Sequence, residues 1–187
     1  MPCRADFCHI GRVSAVRKQN RTQAPLPVIG WREWVGLPGL LPDLIKVKID
    51  TGARTSVLHA FDLRTSRRDG SHWAEFEIHP VQRSGAGAVE VSCEIVEFRK
   101  VRSSTGHVEL RPVVHMAMEV GSALYDIDVT LTSRDEMGFR MLLGRSAVRR
   151  RFLVDPGRSF VQSRASKRQR SRPTDRPDHR QVSDASM

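Results

Sequence analysis

Cysteine is scarce in this sequence. Three cysteines occur among 187 residues, at positions 3, 8 and 93, and no two of them have the CxxC spacing of a zinc knuckle or a redox motif. An odd number of cysteines without that spacing argues against a disulfide framework of the kind that staples small secreted proteins. The cysteine content therefore predicts a chain that works in a reducing compartment.

Long apolar runs are also lacking. Nowhere does an apolar stretch approach the roughly 20 residues that cross a bilayer as a helix. Residues 1–20 contain no continuous apolar segment of the kind found in a signal peptide. On this pattern we expect a soluble, cytoplasmic protein.

Acidic residues are outnumbered, and the basic excess is uneven. The net charge is +10, of which residues 1–27 and residues 162–187 carry +4 each. Polar, basic ends with few apolar residues bury too little surface to order themselves. We therefore predict a disordered basic extension over 1–27, one domain over 28–161 and a disordered basic tail over 162–187. Nucleic-acid binding is not the expected role of either end.

Helical periodicity is rare, and strict alternation of apolar and polar residues takes its place. Five segments alternate, at 45–49, 74–78, 89–95, 114–120 and 125–131, with turn-rich stretches such as RRDGSH and RSSTGH between segments. Alternation is typical of strands with one buried face. Short helices are expected at 144–151 and, as an alternative, at 56–64, while 152–161 has the turn chemistry of a last hairpin. The pattern predicts an all-β barrel or sandwich.

The motifs of metal and nucleotide enzymes are missing. There is no HExxH helix, and the seven histidines include no i, i+4 pair that would place two imidazoles on one helical face. Neither a Walker A segment nor another glycine-rich phosphate loop occurs. The sequence predicts no metal and no cofactor, although a site assembled in three dimensions around His59 and His107 stays open.

One segment, IKVKIDTGARTSVLHA at residues 45–60, carries a carboxylate, a hydroxyl and a glycine directly after an alternating strand. In a purely structural interpretation, Asp50 accepts a backbone N–H and Gly52 provides a turn. That interpretation does not account for Ala53, Ser56, Val57 and Leu58, which complete the string D-T-G-A-x-x-S-V-L.

This string resembles the active-site segment of the retropepsin-like aspartic proteases. A second segment, MLLGRSAV at residues 141–148, resembles the apolar Gly-Arg segment that lies behind the catalytic loop in that class. The resemblance implies an all-β, retropepsin-like closed barrel with one short C-terminal helix, flanked here by the basic tails. It assigns catalysis to Asp50, Thr51 and Gly52, and a structural role to Gly144 and Arg145.

The chain resembles one bacterial family more closely, the one named ATP-dependent zinc proteases. The similarity runs through VIGWREWVGLPGL, KIDTGARTSVLHA, VRSSTGHVELRPVV, VTLTSRDEMGFRMLLGR and FLVDP. Since members of that family are associated with ATP-grasp ligases that add glutamate, the resemblance also implies such a ligase as a partner. The sequence itself carries no motif for the zinc or the ATP in the family name.

Aspartic-protease chemistry requires two carboxylates that share a proton, and the chain has a single Asp-Thr-Gly. We therefore predict a homodimer in which the two Asp50 carboxylates meet on the two-fold axis. Thr51 is expected to hydrogen-bond across the axis, and Gly52 to let a backbone N–H approach the carboxylate. Arg145 is expected to hold the helix and dimer region through polar contacts.

The segment KVRSSTGHVELRPVV is expected to form the flap that covers a substrate, with its tip at 103–106. Its predicted substrate-binding residues are Arg102, His107 and Arg111. Because these residues are basic, the expected substrate is an acidic or glutamate-modified peptide.

Two alternatives remain open at this point. One is a zinc-dependent peptidase, as the family name implies. The other is a noncatalytic retropepsin-fold module that binds acidic peptides or assists an ATP-grasp ligase. A chelator distinguishes the first from an aspartic peptidase, and replacement of Asp50 distinguishes the second.

Overall fold

A computed structural model describes residues 25–82, 84–102, 106–133 and 138–162. The predicted N-terminal extension, apart from 25–27, and the predicted C-terminal tail, apart from Gln162, lie outside the described residues, so the proposed domain boundaries stay a prediction. The described part contains eleven strands and one helix. In chain order these are β1 (Val28–Gly30), β2 (Arg32–Val35), β3 (Ile45–Asp50), β4 (Ser56–His59), β5 (Phe61–Arg68), β6 (Ser71–Ile78), β7 (Val89–Arg102), β8 (Val108–Val120), β9 (Ala123–Thr132), β10 (Met141–Gly144), α1 (Arg145–Val148) and β11 (Leu153–Asp155).

The alternating segments form strands as predicted, and their apolar residues form the core. In β3, for example, Ile45, Val47 and Ile49 are buried while Lys48 is exposed. The even-numbered residues of β8 from 114 to 120 are buried in the same way. The all-β prediction is therefore confirmed, and the short helix predicted within 144–151 is α1.

Nine strands form one sheet in the order β2-β3-β10-β4-β9-β8-β7-β6-β5, and β1 pairs with β11 in a small parallel sheet. A backbone bridge joins the end of β2 back to β8, because Gly36 and Glu119 each donate an N–H to the other's carbonyl at 2.9 and 3.0 Å. This contact between β2 and β8 is a single bridge and not a full strand pairing. The core also includes residues of β6 and β7, such as Phe76 and Val91.

The alternative helix at 56–64 is wrong. Residues 56–59 form β4, which lies between β10 and β9 and is buried at all four positions. A central strand covered on both sides has no exposed face, so its sequence need not alternate, and in β4 the polar Ser56 and His59 are buried together with Val57 and Leu58. β5 follows it directly, with a bulge between Phe61 and Arg64.

The predicted last hairpin also differs from the structure. β11 pairs in parallel with β1, and the segment after Gly157 crosses to the turn between β1 and β2. The cause is Glu33, which is fully buried and whose Oε1 accepts the backbone N–H of Gly30 at 2.7 Å and of Val161 at 2.8 Å. These bonds satisfy a buried carboxylate, and they draw residues 158–162 away from β11.

Two ionisable side chains of the described fold have a raised pKa. Burial raises the pKa of the Cys93 thiol to about 11. Burial also raises the pKa of Tyr125 to about 12, against the opposing effect of the Arg151 guanidinium. Both groups are neutral near pH 7, so Cys93 is not a thiolate nucleophile.

In the described residues, no helix has the length and apolar character needed to span a membrane.

Candidate active site

Asp50 is the last residue of β3, and its side chain is held by the loop that follows. Its Oδ1 accepts the backbone N–H of Gly52 at 3.0 Å and of Ala53 at 3.2 Å. A Cβ on Gly52 would lie 3.2 Å from the same oxygen, which is tighter than ordinary packing. Glycine at position 52 therefore allows the amide to approach the carboxylate. Asp50 is half-buried, and Thr51 and Gly52 are exposed.

The two segments that were matched separately in the sequence come together here. β10 pairs in parallel with β3, in a register that places Gly144 opposite Asp50. The start of α1 then binds the far side of the loop, because Arg145 N donates to the Ala53 carbonyl at 2.9 Å and Ser146 N donates to the Arg54 carbonyl at 3.0 Å. The loop is thus fixed at both ends by backbone contacts.

Glycine is required at position 144 because the neighbouring backbone leaves no space for a side chain. A Cβ there would lie 2.5 Å from the carbonyl carbon and oxygen of Thr55 and 2.7 Å from the Arg54 oxygen. Its φ of −76° and ψ of 170° are open to any residue, so the close approach of the two backbones alone excludes a side chain.

Ser56 has a structural role that was not assigned from the sequence. It is fully buried, its Oγ accepts the Gly144 N–H at 3.3 Å, and its carbonyl accepts the Thr130 hydroxyl at 2.9 Å. A buried serine hydroxyl needs such partners. Its place in the D-T-G-A-x-x-S string was the available signal.

Arg145 contacts the candidate catalytic loop directly. Its Nη1 donates to the Thr51 carbonyl at 2.9 Å and to the Gly52 carbonyl at 3.0 Å. One guanidinium nitrogen therefore bridges the two residues that follow Asp50. A polar contact of Arg145 in this region was predicted from the sequence. The predicted role of Arg145 in holding a dimer stays a prediction.

Replacing Arg145 by lysine is expected to loosen the loop. A lysine has the same charge, but its ammonium group ends a flexible four-carbon stem and is not held in place by a rigid guanidinium plane as Nη1 is. We expect a loss of about 1 kcal/mol in the free energy of unfolding, with a melting temperature lower by about 4 °C. Arg149→Lys, one turn along at an exposed position, is the control and should change little. Equal melting temperatures for Arg145→Lys and the unchanged protein would show that the bridge contributes nothing.

β7 and β8 form a long hairpin, which corresponds to the predicted flap. The register pairs Phe98 with Pro112, Lys100 with Leu110 and Arg102 with Val108. Paired residues point to one face of a sheet, and on β8 this is the face that carries the core residues from Val114 onward. We call this the inner face of the hairpin. Phe98, Val108 and Leu110 are exposed on it, at 40, 47 and 59%.

The predicted substrate-binding residues lie in different places on this hairpin. Arg102 is exposed and belongs to the inner face, together with Lys100, which was not singled out from the sequence. His107 is exposed beside the tip, of which residues 103–105 lie outside the described residues. Arg111 differs from the prediction. It pairs with Arg99 on the opposite face, is 6% exposed, and its Nε donates to the Glu109 carboxylate at 2.9 Å.

Arg111 was expected in a cleft because a string of basic residues does not show which face of the hairpin each of them occupies or which of them are buried. In the folded hairpin, strand alternation separates Arg111 from Leu110, and the Glu109 carboxylate compensates its burial.

A zinc site is not formed by the residues that the structure describes. Among them, no three His, Cys, Asp or Glu side chains are placed to hold a metal ion. His59 lies at the end of β4, 1% exposed, and its ring stacks on Phe61 with 4.0 Å between centroids. Phe61 stacks in turn on His79 at 3.8 Å. The described residues thus do not supply the zinc ligands that the family name implies.

The strand order, the Asp-Thr-Gly loop and the Gly-Arg segment behind it define a retropepsin-like domain. The family model described as RimB-like, retropepsin-like aspartic endopeptidase RimB, matches residues 28–165. The chain belongs to this RimB-like family. A crystal structure of a Legionella pneumophila protein, titled as of unknown function, has a similar fold. Its TM-score is 0.60 at 25% identity, and the match covers 73% of this chain and 98% of that one.

Curated relatives carry a different name. Proteins of Shewanella halifaxensis and Parasynechococcus marenigrum, each named "Probable alpha-L-glutamate ligase", are 41% identical over 133 residues and 43% identical over 129 residues. The matches cover 71 and 69% of this chain but 29 and 28% of those proteins. The chain thus spans less than a third of the length of these relatives. These similarities do not confirm the narrower name of ATP-dependent zinc protease.

Proposed function

We propose that the protein is an aspartic peptidase that hydrolyses peptide bonds with water activated by the paired Asp50 carboxylates of a homodimer. The observation that carries the proposal is the Asp50 loop. Asp50 ends a strand of a retropepsin-like domain, and one of its carboxylate oxygens accepts two backbone amides. The chain belongs to the RimB-like family.

The geometry leaves one oxygen of Asp50 for chemistry. Oδ1 accepts the amides of Gly52 and Ala53, so Oδ2 is available to a water molecule and to a second carboxylate. In the pair, the ionised carboxylate takes a proton from water while the protonated one donates a hydrogen bond to the scissile carbonyl oxygen. Water oxygen adds to the carbonyl carbon, the C–N bond breaks, and the amine leaves with a proton returned by the pair.

The second carboxylate is proposed to come from a second copy of the chain. Asp-Thr-Gly occurs once in the sequence, and a symmetric dimer repeats it at the two-fold axis. The exposed Thr51 is then the residue proposed to hydrogen-bond across the axis. Arg145, which binds the Thr51 carbonyl, orients the loop for that contact.

The proposed substrate is an acidic or glutamate-containing peptide. The inner face of the hairpin combines the cations Lys100 and Arg102 with exposed aliphatic side chains, which suits carboxylates carried on an extended chain. The ligase name of the relatives supports glutamate in particular, since a peptidase and a glutamate ligase catalyse opposite changes at such a peptide. Arg111 is left out of the proposed binding residues because its side chain is buried against Glu109.

Dilution tests the dimer and the mechanism together. Cleavage of glutamate-containing peptides is followed by mass spectrometry across a range of protein concentrations, with sedimentation measured at the same concentrations. We expect activity per chain to fall as the dimer dissociates, and to be unchanged by a chelator. Full activity in a purely monomeric sample would contradict the paired-carboxylate site, and loss of activity with chelator would favour a zinc peptidase.

A second candidate function is a noncatalytic module that assists an ATP-grasp glutamate ligase. The favouring observation is that the chain matches a segment of proteins named as glutamate ligases. Under this alternative the protein alters the rate or product length of a glutamate ligase, and Asp50→Asn does so equally well. A ligase assay with the unchanged and the substituted protein separates the two functions.

A further inference from the structure

Arg54 is an exposed arginine in the candidate catalytic loop that the sequence did not single out. It follows Ala53, whose amide donates to the Asp50 carboxylate at 3.2 Å. Consecutive Cα atoms are about 3.8 Å apart, so the Arg54 backbone lies one residue away from a direct ligand of that carboxylate.

The backbone of Arg54 is rigidly placed. Its carbonyl accepts the Ser146 N–H at 3.0 Å, and the same carbonyl packs against Gly144, where an added Cβ would lie 2.7 Å from it. The carbonyl is thus directed at β10 and α1, while the side chain is exposed. A cation on a fixed backbone loses less freedom when it binds an anion than a cation on a mobile segment.

Two other arginines that the sequence singled out, Arg145 and Arg111, are already engaged. Arg145 is turned onto the carbonyls of Thr51 and Gly52, and Arg111 is paired with Glu109. Within the described ranges, no hydrogen bond or ion pair occupies the Arg54 guanidinium. The Arg54 side chain is thus an exposed cation, and its backbone follows directly after the residue whose amide binds the Asp50 carboxylate.

We propose that Arg54 is a specificity-determining residue that binds a carboxylate of the substrate within a few residues of the scissile bond. The inference rests on the proposed aspartic peptidase and names the substrate feature that its loop selects. An extended peptide advances about 3.3 Å per residue, so a long side chain at this place reaches substrate residues roughly two or three positions from the bond. Guanidinium and carboxylate match in a two-point hydrogen-bonded pair.

The two-fold axis adds a second consequence. Each copy contributes one Arg54, so the dimer presents a guanidinium on both sides of the scissile bond. The site therefore selects carboxylates on the amino and the carboxyl side alike. A peptide with consecutive acidic residues places carboxylates on both sides of the scissile bond, whichever of its bonds lies in the site.

The test uses synthetic decapeptides that differ only in glutamate or glutamine. One set has glutamates on both sides of the cleaved bond, two sets have them on one side, and one set has glutamines throughout. We expect kcat/KM to fall about tenfold for each side that loses its glutamates, and Arg54→Gln to remove this preference. Arg67→Gln, an exposed arginine on β5, is the matched control and should keep the preference. Sedimentation of the Arg54→Gln protein is the check that this variant forms the same oligomer as the unchanged protein.

Binding to the full chain with Asp50→Asn separates this inference from the proposed function. Affinity for the glutamate and glutamine decapeptides is measured with and without Arg54→Gln in that chain. A preference for glutamate that Arg54→Gln abolishes supports the inference even if no peptide is ever cleaved, in which case the proposed peptidase fails alone. Equal treatment of glutamate and glutamine by the chain that keeps Arg54, or a preference that Arg54→Gln leaves unchanged, overturns the role of Arg54 and leaves the proposed hydrolysis at Asp50 unaffected.

Discussion

Asp50→Asn is expected to lower kcat/KM for peptide hydrolysis by at least about a thousandfold. The asparagine amide cannot ionise, so the site loses the group that takes a proton from water. The fold should be unaffected, because the asparagine Oδ1 can accept the same two amides, from Gly52 and Ala53, that the aspartate accepts. Peptide cleavage and thermal unfolding measured on the same sample give both quantities.

Mixed dimers provide the control for Asp50→Asn. When equal amounts of unchanged and substituted chains are unfolded and refolded together, random pairing leaves about a quarter of the dimers with two Asp50 residues. Activity per total protein should then be about a quarter of that of the unchanged dimer, whereas independently acting chains would retain about half. An Asp50→Asn protein with more than a tenth of the original activity would rule out this carboxylate as the proton acceptor.

Gly144→Ala is expected to destabilise the protein by about 3 kcal/mol and to lower the melting temperature by about 10 °C. The added methyl carbon would lie 2.5 Å from the backbone of Thr55, and backbone atoms cannot move aside as the end of a side chain can. To relieve the contact, β10 must shift relative to the loop. That shift would also disturb the Arg145 bridge to Thr51 and Gly52, so activity should fall with stability.

Gly138→Ala is the matched control for Gly144→Ala. Nothing lies within 4 Å of a Cβ built at Gly138, so the same chemical change is expected to alter stability by no more than about 0.5 kcal/mol. Chemical denaturation of both variants gives the comparison. If the two substitutions lower the free energy of unfolding by the same amount, the close approach of the Gly144 and Thr55 backbones is not what requires glycine at position 144.

The proposed activity breaks a peptide bond, whereas a glutamate ligase, the activity named for the relatives, forms a bond to glutamate. In the relatives, a segment similar to this chain belongs to a protein named as a glutamate ligase. A peptidase specific for acidic chains would limit the product of such a ligase, and a noncatalytic module would deliver or hold that product. The exposed Arg54 and the inner face of the hairpin would bind the substrate under both proposals, whereas Asp50 would be needed only under the first.

Particular residues show how far the sequence predicts this molecule. Ile45, Val47 and Ile49 alternate with lysines, and that period alone predicts β3 and places Asp50 at its end. Residues 56–59 offer no such period, because β4 is covered on both sides, and a helix was an open alternative there. Glu33 could not be recognised as a buried anchor, since its partner at Val161 lies 128 positions away.

The sequence by itself determined the alternating strands and the position of the single Asp-Thr-Gly, because these follow from local periodicity and from a motif that occurs once. Only the tertiary structure decided which basic residues are available to a ligand. Arg111 is buried against Glu109, Arg145 is engaged with the loop carbonyls, and Arg54 is exposed beside Asp50. The physical reason is that exposure and pairing depend on strand register and on contacts between distant segments, which spacing along the chain does not encode.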